Sequence, residues 1–314
     1  MKIGYPCINN SIPRNAPSTF RLVSYSENKL VQTLKSNLIH LNQILKYNVK
    51  NNLLFFRISS DLIPFASHPI CKLNWRRIFR SEFEEIGDFI KLHNIRISMH
   101  PDQFVILNSP NTKTVENSIN ELKYHSSVLD AMCLDETAKI QIHVGGLYRN
   151  KQEATDRFVI TFNKISKFVD SSIKKRLVIE NDDRLYSLKD CLSINQETSI
   201  PIVFDSLHQE LLNNEEPLRI ALEKAMSTWK MSSDGLPIVD YSSQNSVKGK
   251  DNKVRKGKHA ERIDLTFFKK FLEEAQNLDF DIMLEIKDKE KSALKALDVK
   301  RQTNIVSATV NSEC

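Results

Sequence analysis

Six short apolar runs in the chain each end on a histidine or a carboxylate. Ile97-Ser98-Met99 leads into His100, Ile140-Gln141-Ile142 into His143, and Leu177-Val178-Ile179 into Glu180. Ile202-Val203-Phe204 leads into Asp205, Ile238-Val239 into Asp240, and Ile282-Met283-Leu284 into Glu285. Runs of this length and β-branched content predict strands buried on both faces, as in a parallel sheet. Two further runs, Lys2-Ile3-Gly4-Tyr5 and Leu53-Leu54-Phe55-Phe56-Arg57-Ile58, complete a set of eight, near 2–5, 53–58, 95–100, 139–144, 177–181, 202–205, 238–242 and 280–286. Between strands, apolar residues recur at helical spacing: Leu34, Leu38, Leu41 and Leu45; Phe79, Phe83, Ile86 and Ile90; Phe158, Phe162, Ile165 and Val169. Each set forms one stripe of a helix that packs on a sheet. Strands alternating with such helices make βαβ units. The predicted fold class is α/β, a single (β/α)8 TIM-type barrel over residues 1–287, with its polar strand ends at the C-terminal mouth where sites of such barrels sit. Residues 288–314 are expected to add a short helix and then a frayed tail.

Composition narrows the classes. A length of 314 residues suits one barrel. The chain has no run of 18 apolar residues, so no membrane span is predicted, and Met1-Lys2-Ile3-Gly4-Tyr5-Pro6 lacks an apolar leader. Five scattered cysteines without a CxxC pair read as reduced thiols and argue against metal binding through sulfur. GxGxxG and Walker A patterns are missing, so no nucleotide cofactor is expected. The expectation is a monomeric, cytoplasmic protein of prokaryotic type. The net charge of +6 is modest, but Lys248 to Arg262 holds seven Lys/Arg against Asp251 and Glu261, which suits an anionic partner.

The strand ends carry the chemistry. Adding His68, His208 and His259 to the six gives His68, His100, His143, Glu180, Asp205, His208, Asp240, His259 and Glu285. Five of the eight histidines of the chain and four carboxylates then share one rim. A single histidine is more often a packing residue, but nine such groups converging would be a severe desolvation and charge problem without cations. Mixed imidazole and carboxylate donors suit Mn, Zn or Fe(II) better than Mg or Ca, and nine are enough for two or three divalent ions. A loaded site of that kind carries net positive charge and attracts phosphate; multinuclear centres hydrolyse phosphodiesters by generating hydroxide and clamping the attacking and leaving oxygens. Phosphodiester cleavage is the leading chemistry, and metal-dependent sugar isomerisation is the rival.

At this point the residues resemble a known family. His100-Pro101-Asp102-Gln103-Phe104 is similar to the HPxQ[FY] segment of the UV damage endonucleases. The resemblance continues through Ile142-His143-Val144-Gly145-Gly146, Ile179-Glu180-Asn181-Asp182-Asp183, Phe204-Asp205 with His208, Thr228-Trp229, Tyr241-Ser242-Ser243-Gln244, His259-Ala260 and Met283-Leu284-Glu285-Ile286-Lys287. Gly4-Tyr5 with Asn9, and Arg57-Ile58-Ser59-Ser60 with Pro64 and His68-Pro69, fit as well. The motifs run in order over roughly residues 2 to 290.

This resemblance implies a single-barrel DNA repair enzyme that nicks the damaged strand of double-stranded DNA immediately 5′ to a UV photoproduct, a cyclobutane pyrimidine dimer or a 6-4 product, with abasic sites as a further candidate substrate. It implies two or three divalent ions, Mn first and Zn or Mg as the others. It carries metal-binding roles onto His68, His100, His143, Glu180, Asp205, His208, His259 and Glu285. Asp240 departs from the pattern, since many relatives have His there; Ile238 stands where some have Lys. Glu180, Glu285 and Lys287 are the expected catalytic residues, Lys287 toward the scissile phosphate. Gln103 and Phe104 are expected to probe the damaged bases, the ring replacing lost stacking and the amide lost pairing. Tyr5 and Asn9 are expected to shape the lesion pocket, and Tyr148 and Arg149 to line the DNA groove. Lys248, Lys250, Lys253, Arg255, Lys256 and Lys258 are expected on flanking phosphates. The alternative is an apurinic-site endonuclease of the endonuclease IV type.

Overall fold

In the computed structural model, residues 1–14, 16–168, 171–245 and 256–310 are described. Eight strands, β1 (Ile3–Pro6), β2 (Phe55–Ile58), β3 (Arg96–Met99), β4 (Lys139–His143), β5 (Leu177–Glu180), β6 (Ile202–Asp205), β7 (Ile238–Tyr241) and β8 (Asp281–Leu284), close into a parallel barrel in chain order, β8 pairing back onto β1. One principal helix follows each strand: Glu27–Lys50, Arg80–Leu92, Thr112–Ala131, Lys151–Phe168, Leu188–Thr198, Leu218–Met226, Leu265–Glu274 and Glu290–Val310. This is the predicted TIM-type barrel, with shorter strands than the apolar runs suggest because the run ends turn into loops.

Alternation along the strands sorts the side chains into two sets. Ile3, Tyr5, Phe56, Ile97, Ile140, Ile179, Phe204, Val239 and Ile282 belong to the large core that also takes in the helix stripes, Leu34, Leu38, Leu41 and Leu45 among them. Phe55, Val178, Val203, Ile238 and Met283, with Trp229, form a separate small core inside the barrel. Gly4 is needed where β1 meets β2, since a Cβ there would lie 2.2 Å from the Phe55 carbonyl oxygen. Val169 of the predicted third stripe lies outside the described residues.

The inner positions on either side of that apolar layer are charged. Toward the strand starts, Arg96 Nη1 pairs with Asp281 Oδ2 at 3.0 Å and Lys139 Nζ with Asp234 Oδ1 at 2.6 Å, all four side chains buried. Lys139 also donates to the Lys175 carbonyl, 2.8 Å, and both cations lie over the Trp229 ring. Toward the strand ends lie Arg57 and the predicted cluster.

The C-terminal segment corrects one expectation. In place of a short helix, Glu290–Val310 forms 21 residues of helix. It is the eighth outer helix of the barrel: Ala293, Ala296 and Leu297 are buried, and Glu290 accepts from Asn10 N–H at 2.9 Å and Ser11 Oγ at 2.8 Å. The charged start of the segment hides these small apolar positions, which is why pattern reading takes it for a tail.

Candidate metal centre

Glu180, at the end of β5 and 1 % exposed, is the hub of the mouth. Its Oε1 lies 3.2 Å from His208 Nδ1; its Oε2 lies 3.4 Å from His100 Nε2 and 3.7 Å from His143 Nε2 and accepts from Gln141 Nε2 at 2.5 Å. The imidazoles form an arc, with ring centroids 5.3 Å apart for His100 and His143, 6.1 Å for His143 and His208, and 6.4 Å for His208 and His259. His259 Nδ1 lies 3.5 Å from Glu285 Oε2.

Local backbone chemistry orients these rings. His100 Nδ1 is 2.9 Å from the Pro101 carbonyl oxygen and His208 Nδ1 is 2.9 Å from that of Asn181. A carbonyl can only accept, so Nδ1 carries the proton in each; in neutral His100 the lone pair is then on Nε2, the nitrogen that faces Glu180, an arrangement typical of metal-ligating histidines. Asn181 also locks β5 to β6: its Oδ1 accepts from Asp205 N–H at 2.9 Å and its Nδ2 donates to the Asp205 carbonyl at 3.1 Å. Asp205 caps the helix Ser206–Leu211, its Oδ1 accepting from His208 N–H at 2.8 Å, which fixes the spacing of the Asp205–His208 pair.

Among the described residues three groups have ligand atoms mutually within 4.8 Å: His100, His143 and Glu180; Glu180, Asp205 and His208; Asp205, Asp240 and Glu285. The donor set fits divalent ions. Asp205 Oδ2 is buried without a hydrogen-bond partner among the described residues, a costly condition for a carboxylate that a cation would relieve. Burial pushes the Asp205 carboxyl well above its ordinary range, and neighbouring carboxylates add to the shift. Burial would also raise Glu180, but the surrounding histidines outweigh it and hold Glu180 well below the usual carboxylate range.

Two polar residues at the mouth escape a search for strand-end ligands. Arg57, on β2 and 2 % exposed, donates Nη2 to Asp240 Oδ2 at 2.8 Å and Oδ1 at 3.0 Å, and Nη1 to Glu285 Oε1. Gln141 accepts from Arg57 Nη2 at 2.8 Å and donates to Asp240 Oδ2 at 2.7 Å. Each interrupts an apolar strand at an inward position, and that interruption is the signal that marks them. Burial lifts Asp240 to about 7 against the pull of Arg57, whereas Arg57 overcomes burial at Glu285 and holds it down to about 2.

The remaining predicted residues separate. Gln103 and Phe104 are the two tip residues of a β-turn closed by Val105 N–H to the Asp102 carbonyl, 3.0 Å; both are exposed, Phe104 by 54 %, directly after His100-Pro101. Tyr148 and Arg149 are exposed on successive left-handed residues (φ 48° and 73°), with Arg157 5.5 Å from the Tyr148 ring centre. Lys256 and Lys258 are exposed on a strand-like return in which Asn245 N–H donates to the Lys258 carbonyl at 2.7 Å and Ala260 N–H to Ser243 O at 2.9 Å, beside His259. Lys248, Lys250, Lys253 and Arg255 lie outside the described residues. Lys287 stands on the rim and pairs with Glu261.

Three predicted residues stand apart from the cluster. His68 is exposed, its Nδ1 accepting from Ile70 N–H at 3.1 Å, and it enters none of the three groups found among the described residues. Tyr5 and Asn9 are both fully buried: Tyr5 points outward from β1 to the helix layer, donating to Asn48 Oδ1 at 2.6 Å and accepting from Asn9 Nδ2 at 2.7 Å. Strand alternation decides this, since Gly4 takes the inward position.

A closed eight-stranded barrel whose mouth gathers partly buried histidines and buried carboxylates defines a TIM-barrel enzyme with candidate metal sites. The sequence profile of the UV-endonuclease UvdE family matches residues 1–313, and the chain belongs to that family. A UV DNA damage endonuclease of Clostridium perfringens (strain 13 / Type A) is 40 % identical over all of this chain and 73 % of its own length. The solved structure of SacUVDE superposes with a TM-score of 0.90 at 45 % identity, covering 97 % of this chain and 99 % of that one. A D-tagatose 3-epimerase-like protein, 16 % identical with a TM-score of 0.59 over 99 % of this chain and 100 % of its own, shares the fold alone. The chain is a DNA repair endonuclease. Among the described residues no helix is long and apolar enough to cross a membrane.

Proposed function

We propose that this endonuclease binds double-stranded DNA carrying a UV photoproduct and hydrolyses the damaged strand immediately 5′ to it, using divalent ions, Mn first, held by His100, His143, Glu180, Asp205, His208, His259 and Glu285. The observation that carries the reading is the adjacency of two unlike features: a largely buried cluster of histidine and carboxylate ligands and the exposed Gln103-Phe104 turn joined to it through His100-Pro101. Bound ions would polarise the attacking water and stabilise the leaving oxygen. Glu180 and Glu285, held ionised by their neighbours, keep the ligand geometry and receive positive charge. Phe104 fills the stack where a dimer has weakened it, and Gln103 replaces lost base-pair hydrogen bonds. A lesion lowers the cost of opening the duplex, so selectivity needs no sequence readout. Lys256, Lys258 and Lys287 on the rim suit backbone phosphates, which position DNA and make affinity fall with salt.

The test is a duplex with one pyrimidine dimer and a labelled 5′ end, incubated with Mn²⁺-loaded protein. The expected product ends at the nucleotide before the dimer, undamaged duplex stays intact, and the Gln103→Ala/Phe104→Ala double variant loses discrimination between the two. Cleavage at abasic sites with none at dimers or 6-4 products would replace this reading with the apurinic-site one. Failure on all these substrates with Mn²⁺, Mg²⁺ and Zn²⁺ would sink it.

A further inference from the structure

The three candidate groups at the mouth are not alike. The first two contain imidazole nitrogens and share Glu180, and Asp205 links the second to the third, its Oδ2 without a hydrogen-bond partner among the described residues. The third, Asp205, Asp240 and Glu285, contains carboxylates only, and a cation already stands there. Arg57 Nη2 reaches both Asp240 oxygens, at 2.8 and 3.0 Å, and Nη1 is bonded to Glu285 Oε1. Gln141 Nε2 adds a second donor to Asp240 Oδ2 at 2.7 Å, so both lone pairs of that oxygen are in use. The guanidinium cannot give up its charge, and it is buried to 2 % exposure with no solvent to screen it. A divalent ion on Asp240 would have to displace two hydrogen bonds and sit against a permanent positive charge.

We propose that Arg57 is the resident cation of the Asp240 corner: the mouth holds two divalent ions, both on the seven ligands proposed above, and Asp240 anchors Arg57 instead of ligating metal. This deepens the metal-centre reading and rests on it. Asp240 and Gln141 then have one shared role, holding the guanidinium so that Nη1 orients Glu285 beside His259. The expected metal role of Asp240 is replaced by a positioning role.

The test counts metal. Protein stripped with chelator, saturated with Mn²⁺ and passed over a desalting column is assayed by elemental analysis, with melting curves to confirm folding. The expected result is two Mn per chain for the wild type, still two for Asp240→Asn, and three for Arg57→Met, where the all-carboxylate corner loses its built-in cation. Three Mn in the wild type would overturn the proposal while leaving the metal centre intact, as would a loss of one Mn in Asp240→Asn. No Mn in the wild type would overturn the metal-centre reading and this inference with it. The wild-type and Asp240→Asn counts decide the matter even if Arg57→Met fails to fold.

Discussion

The two ends of the barrel interior solve the same physical problem in opposite ways. Both bury charge around one apolar layer. At the strand starts each cation has its own anion, Arg96 with Asp281 and Lys139 with Asp234, and Trp229 covers both cations. At the strand ends Glu180, Asp205, Asp240 and Glu285 face a single buried guanidinium, Arg57. The first end is electrically complete, as a structural network must be. The second shares its carboxylates among four histidines and leaves Asp205 Oδ2 without a hydrogen-bond partner among the described residues. A buried charged cluster thus declares its role through its balance: matched pairs hold a fold together, and a shared, incompletely partnered set suits a ligand.

The largest contrast comes from Glu180→Gln at the mouth. It removes the hub carboxylate, so nicking is expected to fall to background in the single-dimer assay while damaged-DNA binding in a gel-shift experiment is kept. The unliganded protein should also lose some stability, because the histidines and Gln141 that hold Glu180 ionised lose their carboxylate partner. Asp234→Ala at the base should act on stability alone. It strands a buried Lys139 ammonium and costs about 3–5 kcal/mol in denaturant unfolding, with the bound metal unchanged by elemental analysis. Equal loss of metal in both variants would erase the distinction between the ends.

A smaller effect should separate ligands from the groups that orient them. Asn181→Ala removes the clamp between β5 and β6 and is expected to weaken Mn²⁺ binding by roughly 10–100-fold in calorimetric titration, with no change in unfolding of the base network. The smallest prediction concerns pH. Burial lowers the Lys139 pKa despite Asp234, so above the folded value the unfolded chain binds more protons. Stability is then fully present above about 10.5 and is lost as pH falls toward the folded value. Lys139→Met should flatten the unfolding midpoint between pH 8 and 10.5 relative to wild type; an unchanged slope would contradict the assignment.

Much of this was legible before any coordinates. Buried parallel strands are continuous apolar runs, so the six strand ends were visible together, and the exposed Gln103-Phe104 turn stood out beside one of them. Three things were not legible. Arg57 and Gln141 sit inside apolar runs and look like interruptions until the closed barrel brings β2 and β4 to face β7. The base network occupies strand starts, where a search for ligands does not look. Tyr5 turns outward because Gly4 takes the crowded inward place against Phe55, a fact of strand pairing that residue type does not encode. His68 shares its histidine chemistry with the cluster but stands exposed on its loop, because sequence order does not fix where a long loop carries a side chain.

The claim that the mouth is a divalent metal centre and the base is not is tested most directly by melting chelator-stripped protein with and without Mn²⁺. An ion that binds only the folded state adds RT ln(1 + [L]/Kd), about 2.7 kcal/mol at a hundredfold excess over Kd. The expected result is a saturable rise in Tm for wild type and for Asp234→Ala, and none for Glu180→Gln. No rise in wild type, or the same rise in Glu180→Gln, would contradict it.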